Sequence, residues 1–435
     1  MTRGHPKVKA VILVGGHEDR YFRPLSMDQP KPLFPIAGRP MLYHHVEACA
    51  KVPHMAEILL IGGHDEGLFA RFLDIVTREI LVPIRYLQER EPLGTAGGLR
   101  YFFDEIMLGQ PDMLFVLHYD ICCSFPLQDM VYQHLRTHAS CTMLGKRVFP
   151  DEAKTYGCIV ADDMCEVVHW AEKPETFVSD LINCGIYLFN IKLLGRIMDI
   201  GDERAAARRK AQASRSQPRF PYKPLFYECE NALRLEQDIL IPMAGQQELY
   251  VYETGDFWCQ IKTPGMAVMC SELYMQRYRY VDPTLLSSTG GKLSPHIEES
   301  ANYCSILGNV VIDPSATIDP SAKLGPNVVI AAGVHIGRGV RVAHSIVLAG
   351  ATVRDHACIL FSILGWNCTV GEWARIEGEP PNDTPAKATG ADTGIPRDVT
   401  IFGTSVVCAP EIIVRNCVVL PRKVLTQSCH NEILL

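Results

Sequence analysis

Two adjacent glycines, Gly15 and Gly16, follow directly on an apolar run at residues 8–14 (VKAVILV). Lacking side chains, they let a ligand come close to the backbone, and their N–H groups can meet a phosphate. A glycine pair on its own also fits a tight turn from strand to helix. An aspartate, Asp120, closes a later apolar run at 112–117. A carboxylate in that position could hold a metal ion beside a phosphate, although an aspartate at a strand end also serves as a turn residue. Three histidines, His335, His344 and His356, lie in the C-terminal third. A histidine base would suit acyl transfer. No acyl-carrier signal accompanies these three, and solvated surface histidines account for them better.

Such residues need a frame to bring them together. Short apolar runs recur at 57–61, 112–117 and 182–189, with helical patterns at 41–51 and 68–80 between the first of them. A continuous apolar run bounded by glycines suits a strand buried on both faces. Strands alternating with helices predict an α/β domain, a Rossmann-like and mostly parallel doubly wound sheet. Ligands of such sheets sit at the carboxyl ends of the strands. That places Gly15, Gly16 and Asp120 near one mouth.

From about residue 311 the pattern changes to a repeat of six: VIDPSA, TIDPSA, KLGPNV, VIAAGV, HIGRGV, RVAHSI, VLAGAT. The second column reads Ile312, Ile318, Leu324, Ile330, Ile336, Val342 and Leu348. The sixth reads Ala316, Ala322, Val328, Val334, Val340 and Ile346, then Thr352, Cys358, Leu364, Val370 and Ile376. One large aliphatic and one small or branched residue per six predicts a left-handed parallel β-helix with these columns stacked inside. The rhythm breaks at 377–400, rich in Pro, Asp, Thr and Gly, and resumes at Ile401, Val407, Ile413 and Val419. A long excursion from a regular coil is a candidate contact segment. A tolerated surface insertion is the other reading.

The expected organisation is an α/β domain over 1–283, a connection over 284–300 and the β-helix over 301–435. Within the first domain, 203–219 is basic and Ala/Ser-rich and reads as a mobile surface insertion. It carries no aromatic platform for single-stranded nucleic acid.

The 435 residues are 47% hydrophobic and 21% charged with a net charge of -7, so nothing general points to nucleic acid as a partner. Sixteen cysteines are scattered without metal-type spacing, which suits free thiols in a reducing compartment. The apolar run at 10–14 is too short for a signal or membrane helix, and no lipidation motif closes the chain. A cytoplasmic protein without membrane contact is expected.

The N-terminal stretch VILVGGHEDRYFRPLSMDQPKPLFPIAGRPML resembles the opening of sugar-1-phosphate nucleotidyltransferases, which read roughly GGxGTRLxPLT and then PKP. LQEREPLGTAGGL, FVLHYDI, YGCIV, AEKPE and NCGIYLF follow in the family's order as far as about residue 270. Together with the hexapeptide domain, they identify the chain as similar to GDP-mannose pyrophosphorylases (mannose-1-phosphate guanylyltransferases). Within that family it is most similar to the regulatory alpha subunits, on LSxxxPKPLFPxAG, EKPxTFxSDxINCGIYLF, RLEQD and Gln260-Ile261-Lys262.

The resemblance implies a nucleotide-sugar site. Leu13, Gly15 and Gly16 fall at the nucleotide, Gly94 and Thr95 in a second nucleotide loop, and Glu89 at the base. A carboxylate at 89 can accept from N1–H and the amino group of guanine. Asp120 becomes a metal ligand facing the α-phosphate, and Lys31 a lysine facing the phosphates. Gly157, Glu172, Lys173 and Asn183 take the sugar pocket. Without the resemblance, Glu89 and Lys31 would read as ordinary solvated side chains.

The same alignment exposes two losses. Active members carry Gly-Thr-Arg in the glycine loop; here the stretch reads Asp19-Arg20-Tyr21, with a carboxylate where triphosphate charge should gather and Arg20 one position off. Active members also carry Trp-x-Asp before Ile/Val-Gly, the Asp being the second metal carboxylate; here Trp258-Cys259 is followed by Gln260. Nucleotidyl transfer needs positioned cations and metal on the phosphates.

The resemblance therefore implies a non-catalytic regulatory subunit. It would bind GDP-mannose and mediate feedback inhibition of a catalytic paralogue in a hetero-oligomer, through the β-helix and the 377–400 loop, with no cofactor required. An active guanylyltransferase with Arg20 and Lys31 as residual catalytic groups, and Mg2+ as its cofactor, is one alternative. A scaffold subunit like those of translation-initiation exchange factors is another.

Overall fold

A computed structural model describes residues 6–16, 20–213, 232–287, 304–380 and 399–435. The chain divides into two compact units, Met1–Glu18 with Leu42–Trp258, and Asp19–Met41 with Cys259–Leu435. The helix at 264–281, assigned from the sequence to the first domain, clusters with the second unit.

In the first unit β1 (Val8–Gly15), β2 (Met55–Gly62), β3 (Ile84–Gln88) and β4 (Met113–His118) run parallel, in the order β4-β1-β2-β3. Helices α1 (Met41–Ala50) and α2 (Ala70–Glu79) fall where the helical spacing predicts. In α2, Phe72 and Val76 form the buried stripe, four residues apart as a helix face requires. The sheet is mixed. It continues through β5 (Cys141–Arg147), β6 (Gly157–Ala161), β7 (Val167–Glu172), β8 (Leu181–Asn190) and β9 (Leu249–Glu253). Strand β8 lies antiparallel against β4, β5 and β6, and β7 against β6.

Both faces of the parallel half are buried. Val11, Leu13, Leu59, Ile61, Leu114 and Val116 join one core cluster with Trp170, Tyr187 and Phe189. The alternating Ala10, Ile12, Ile58, Leu60, Phe115 and Leu117 are equally buried. This two-sided burial is why β1 reads as an unbroken apolar run.

Residues 203–213, read from the sequence as part of a mobile surface insertion, continue helix α3 (Lys192–Ala213). Alanine, arginine and lysine are strong helix formers, and a basic Ala-rich run carries that propensity as readily as it signals a loop. Arg204 ties this helix to Asp238 at 2.6 Å. Residues 214–219 lie outside the described residues, as do 288–300 of the expected connection and 381–398 of the expected excursion.

The C-terminal part of the second unit is a left-handed β-helix of three parallel sheets. Its packed interior includes Leu324, Val328, Ile336, Val342, Val353, Ile359, Leu364, Val370 and Ile376. The strict six-residue cut holds only through Val342. Val328 stacks on Ser345, and Ile330 on Val347, so the coil shortens from eighteen residues to seventeen. Val347, Val353 and Ile359 therefore point inward, and Ile346, Thr352 and Cys358 of the expected sixth column point out. After the excursion Phe402, Cys408 and Val414 are inside, one residue on from the expected Ile401, Val407 and Ile413.

The corner where a residue is lost holds His344 at φ 48, its ring stacked on Phe361 at 4.6 Å. His344 Nδ1 lies 2.7 Å from Glu272 of helix α4 (Pro264–Val281). In the same unit the Ser271 hydroxyl of that helix accepts from the N–H of Ala37 at 3.1 Å, and Phe34 packs edge-on to Trp366 at 6.2 Å. His356 stacks on Trp373 at 4.3 Å.

Candidate functional site

The parallel strands of the first unit end together. Leu13 O accepts from Tyr119 N at 3.2 Å, Gly15 O from Gly63 N at 2.9 Å, and Gly62 O from Glu89 N at 2.7 Å. These bonds join the ends of β1, β2, β3 and β4, so Leu13, Gly15, Gly16, Glu89 and Asp120 share one edge, as the strand-end rule predicts. Gly15 has φ 70, and a Cβ on it would lie 3.2 Å from the Tyr119 ring. A side chain there is therefore disfavoured by both backbone and space.

Glu89 lies against Gly98. Its Oε1 would be 2.3 Å from a Cβ at that glycine, so any side chain there would push the carboxylate from this position. Burial pushes the Glu89 carboxyl up to about 7. Between these residues Gly94 takes φ 80, and a Cβ on it would meet Leu233 O at 2.6 Å. Leu233 clasps this loop from both sides: its O accepts from Ala96 N at 2.9 Å, and its N donates to Leu93 O at 2.9 Å.

The clasp leads into a π-helical turn, Leu235–Leu240, that carries Glu236. Thr95 Oγ1 accepts from Leu235 N at 2.8 Å and donates to Glu236 Oε2 at 3.3 Å. Glu236 Oε1 stands 3.0 Å from His118 Nε2 and accepts from the Tyr187 hydroxyl at 3.1 Å. Asn183 Nδ2 donates to that hydroxyl at 2.8 Å, while its Oδ1 accepts from Gly185 N at 3.0 Å.

Burial alone would raise the Glu236 carboxyl, but the hydrogen bond and charge of His118, with the Tyr187 hydroxyl, hold it down at about 2. Burial would lower His118; its bond to Glu236 outweighs that and raises it. The two form a half-buried ion pair.

At the other end of the sheet Gly157 opens β6 opposite Glu172, the last residue of β7. Lys173 follows at φ 44, its N–H bonded to Tyr156 O at 3.2 Å. Cys158 pairs with Ile182, next to Asn183 in β8. Gly157, Glu172, Lys173 and Asn183 thus lie on adjoining strands. Trp258 supports this corner, donating from Nε1 to Cys184 O at 3.1 Å and packing edge-on to Tyr156 at 5.1 Å.

Three expected site residues fall in the second unit. Arg20 begins the turn Arg20–Phe22 and is exposed. Lys31 is buried, with Nζ 5.5 Å from the centre of the Phe22 ring, rather than the exposed lysine its prolines suggest. Gln260 ends the strand Trp258–Gln260. Asp19 lies outside the described residues. Among those described, no group of three or more His, Cys, Asp or Glu side chains is placed to hold a metal ion, and no helix is long and apolar enough to cross a membrane. The described cysteines are all free thiols.

The residues not singled out from the sequence are His118, Tyr187 and Glu236. Each lies inside a motif already noted (FVLHYDI, NCGIYLF and RLEQD), but nothing local sets Glu236 apart from its polar neighbours Arg234, Gln237 and Asp238.

A family model described as nucleotidyl transferase matches residues 9–214, and one described as GMPPB C-terminal domain matches 306–434. The chain is 46% identical over 432 residues to a mannose-1-phosphate guanylyltransferase regulatory subunit alpha of Dictyostelium discoideum, covering 98% of each. It is 46% identical over 442 residues to the regulatory subunit alpha of Homo sapiens, and 44% over 442 residues to subunit alpha-B of Danio rerio. In both cases the match covers 98% of this chain and 100% of the relative.

Proposed function

The chain belongs to the mannose-1-phosphate guanylyltransferase regulatory subunit alpha family, and from that membership we propose that it binds GDP-mannose and mediates feedback inhibition of a catalytic guanylyltransferase subunit. The observation that carries this reading is the shared strand-end edge. Gly15, Glu89 and Thr95 stand at one end of it, and Gly157, Glu172, Lys173 and Asn183 on adjoining strands at the other, with a hydrogen-bonded chain from Thr95 through Glu236 and Tyr187 to Asn183 between them. A nucleoside on one end and a hexose on the other suit that spacing of polar groups.

The groups that would drive bond exchange are replaced in sequence. Asp19 stands in the glycine loop and Gln260 in place of a metal carboxylate. Keeping the grip while giving up the charge handling is what a sensor needs. Feedback then requires that GDP-mannose favour one state of the hetero-oligomer over another. In this reading the β-helix and the 377–400 excursion make the contact with the catalytic subunit.

The test is to purify the chain, titrate it with GDP-mannose by calorimetry, and assay GDP-mannose synthesis from GTP and mannose 1-phosphate with and without the catalytic subunit. The expected result is binding, no synthesis by the chain alone, and product inhibition of the catalytic subunit that deepens in its presence. Robust synthesis by the chain alone would overturn the proposal.

A further inference from the structure

We propose that Glu236 is a positioning residue that makes the nucleoside end and the hexose end of the site depend on one another, so that an intact nucleoside diphosphate hexose is favoured over its nucleotide fragment. The inference rests on the GDP-mannose reading above and deepens it.

The two carboxylate oxygens of Glu236 serve opposite sides. Oε2 receives Thr95, six residues after Glu89 in the same loop. Oε1 receives both His118, two residues before Asp120, and Tyr187, which in turn receives Asn183. One side chain thereby bonds the base-side loop, the end of β4 and, through one hydroxyl, the residue expected at the hexose. The turn carrying Glu236 is itself pinned to the loop by Leu235 N on Thr95 and by the two bonds of Leu233. Moving the loop moves the carboxylate, and moving the carboxylate withdraws the partner that holds Tyr187 and Asn183.

Glu236 acts through other residues: its carboxylate bonds Thr95, His118 and Tyr187. Its carboxylate is paired with His118 at 3.0 Å. Its effect is orientational. A ligand that orders one end lowers the cost of ordering the other, which appears as a gain for the intact molecule over its parts.

The test compares Kd for GDP-mannose and for GDP on the full chain by calorimetry. In Glu236→Gln the amide nitrogen that replaces one oxygen cannot accept from Thr95, and the charge partner of His118 is lost. The expected result is a ratio of Kd for GDP to Kd for GDP-mannose that falls about tenfold, within the ordinary range of coupling between sites, while Kd for GDP changes much less. Tyr187→Phe cuts only the hexose-side arm and leaves Glu236 in place. It should reduce the same ratio, and it serves if Glu236→Gln fails to fold.

Equal weakening of both ligands, or an unchanged ratio in both variants, would overturn the inference while leaving the GDP-mannose site standing. If the unaltered chain bound GDP but not GDP-mannose, or neither, the reading of the site itself would fall first.

Discussion

Glu172 Oε2 lies 2.7 Å from the point a Cβ on Gly157 would occupy, with Trp170 Nε1 2.9 Å from the same point. The glycine is what lets a carboxylate and a buried indole approach the same stretch of backbone. In Gly157→Ala the new methyl must displace one of them, and the flexible carboxylate yields more readily than the packed ring. We expect GDP-mannose affinity to fall about tenfold, roughly 1.4 kcal/mol, with GDP affinity little changed. Calorimetry with both ligands checks this. Equal loss for GDP would remove Gly157 from the hexose end.

With Glu89 at the guanine, as proposed, GDP-mannose binding should depend on pH. Burial lifts its carboxyl from the ordinary 4.5 to about 7, and only the ionised form can accept from two guanine donors. Binding must therefore release a proton, and GDP-mannose affinity should rise as pH climbs through about 7. The sign for stability is opposite. A carboxyl with a raised folded pKa favours the fold below the unfolded value and loses that contribution as pH rises from 4.5 through 7. Glu89→Gln should melt higher than the parent chain at pH 8 by a few degrees yet bind GDP-mannose more weakly. Thermal melts and titrations at pH 6 and pH 8 give both readouts.

Much of this site was legible in sequence because strand ends announce themselves. An apolar run closed by Gly15 or Asp120 needs no tertiary information to place its last residue at the mouth. The residues missed are those whose roles are relational. Glu236 is remarkable in no local pattern; it matters because Thr95, His118 and Tyr187, up to 141 positions away, converge on it. The hexad columns failed for a related reason. A six-residue count cannot see the coil lose one residue beside His344, and a slip of one turns the next members of the column, Ile346, Thr352 and Cys358, to the other face before Leu364 points inward again. Residues 203–213 show that composition alone does not separate a solvated helix from a solvated loop.

Lys9 places a buried charge inside β1. Its Nζ is 2.6 Å from Glu57 Oε2 and 3.2 Å from Glu105 O, while Arg85 bonds Glu57 at 2.6 Å and Glu105 at 2.8 Å. Only 3% of the Lys9 side chain is exposed. Burial would raise the Glu57 carboxyl, but Arg85 and Lys9 hold it below its ordinary value. The stability it contributes is thus present above the unfolded carboxylate pKa and lost as pH falls below it. Glu57→Gln leaves Lys9 buried without its counter-charge and should cost about 3 kcal/mol. Since Lys9 is six residues upstream of Gly15, GDP-mannose affinity should be unaffected in the folded fraction. Urea melts at neutral pH, with ligand titration below the transition, measure both.

The shortened coil carries a prediction that separates the observed register from the six-residue count. Ile363 and Val424 both point out of the β-helix, next to the inward Leu364 and Leu425. Ile363 is nevertheless fully buried, in a column whose middle, Val329, Ile346 and Ile401, is buried with it, whereas Val424 is 66% exposed. An outward aliphatic that is buried contributes as a core residue does. Ile363→Ser removes most of an apolar side chain and buries a hydroxyl in its place, which should cost about 3 kcal/mol or more. Val424→Ser removes a side chain already in water and should stay within about 0.5 kcal/mol. Leu364→Ser, inside the coil, should be as damaging as Ile363→Ser. A melting series over these three variants decides the matter: a large loss at Leu364 with a small one at Ile363 would mean that the outward face is open rather than covered.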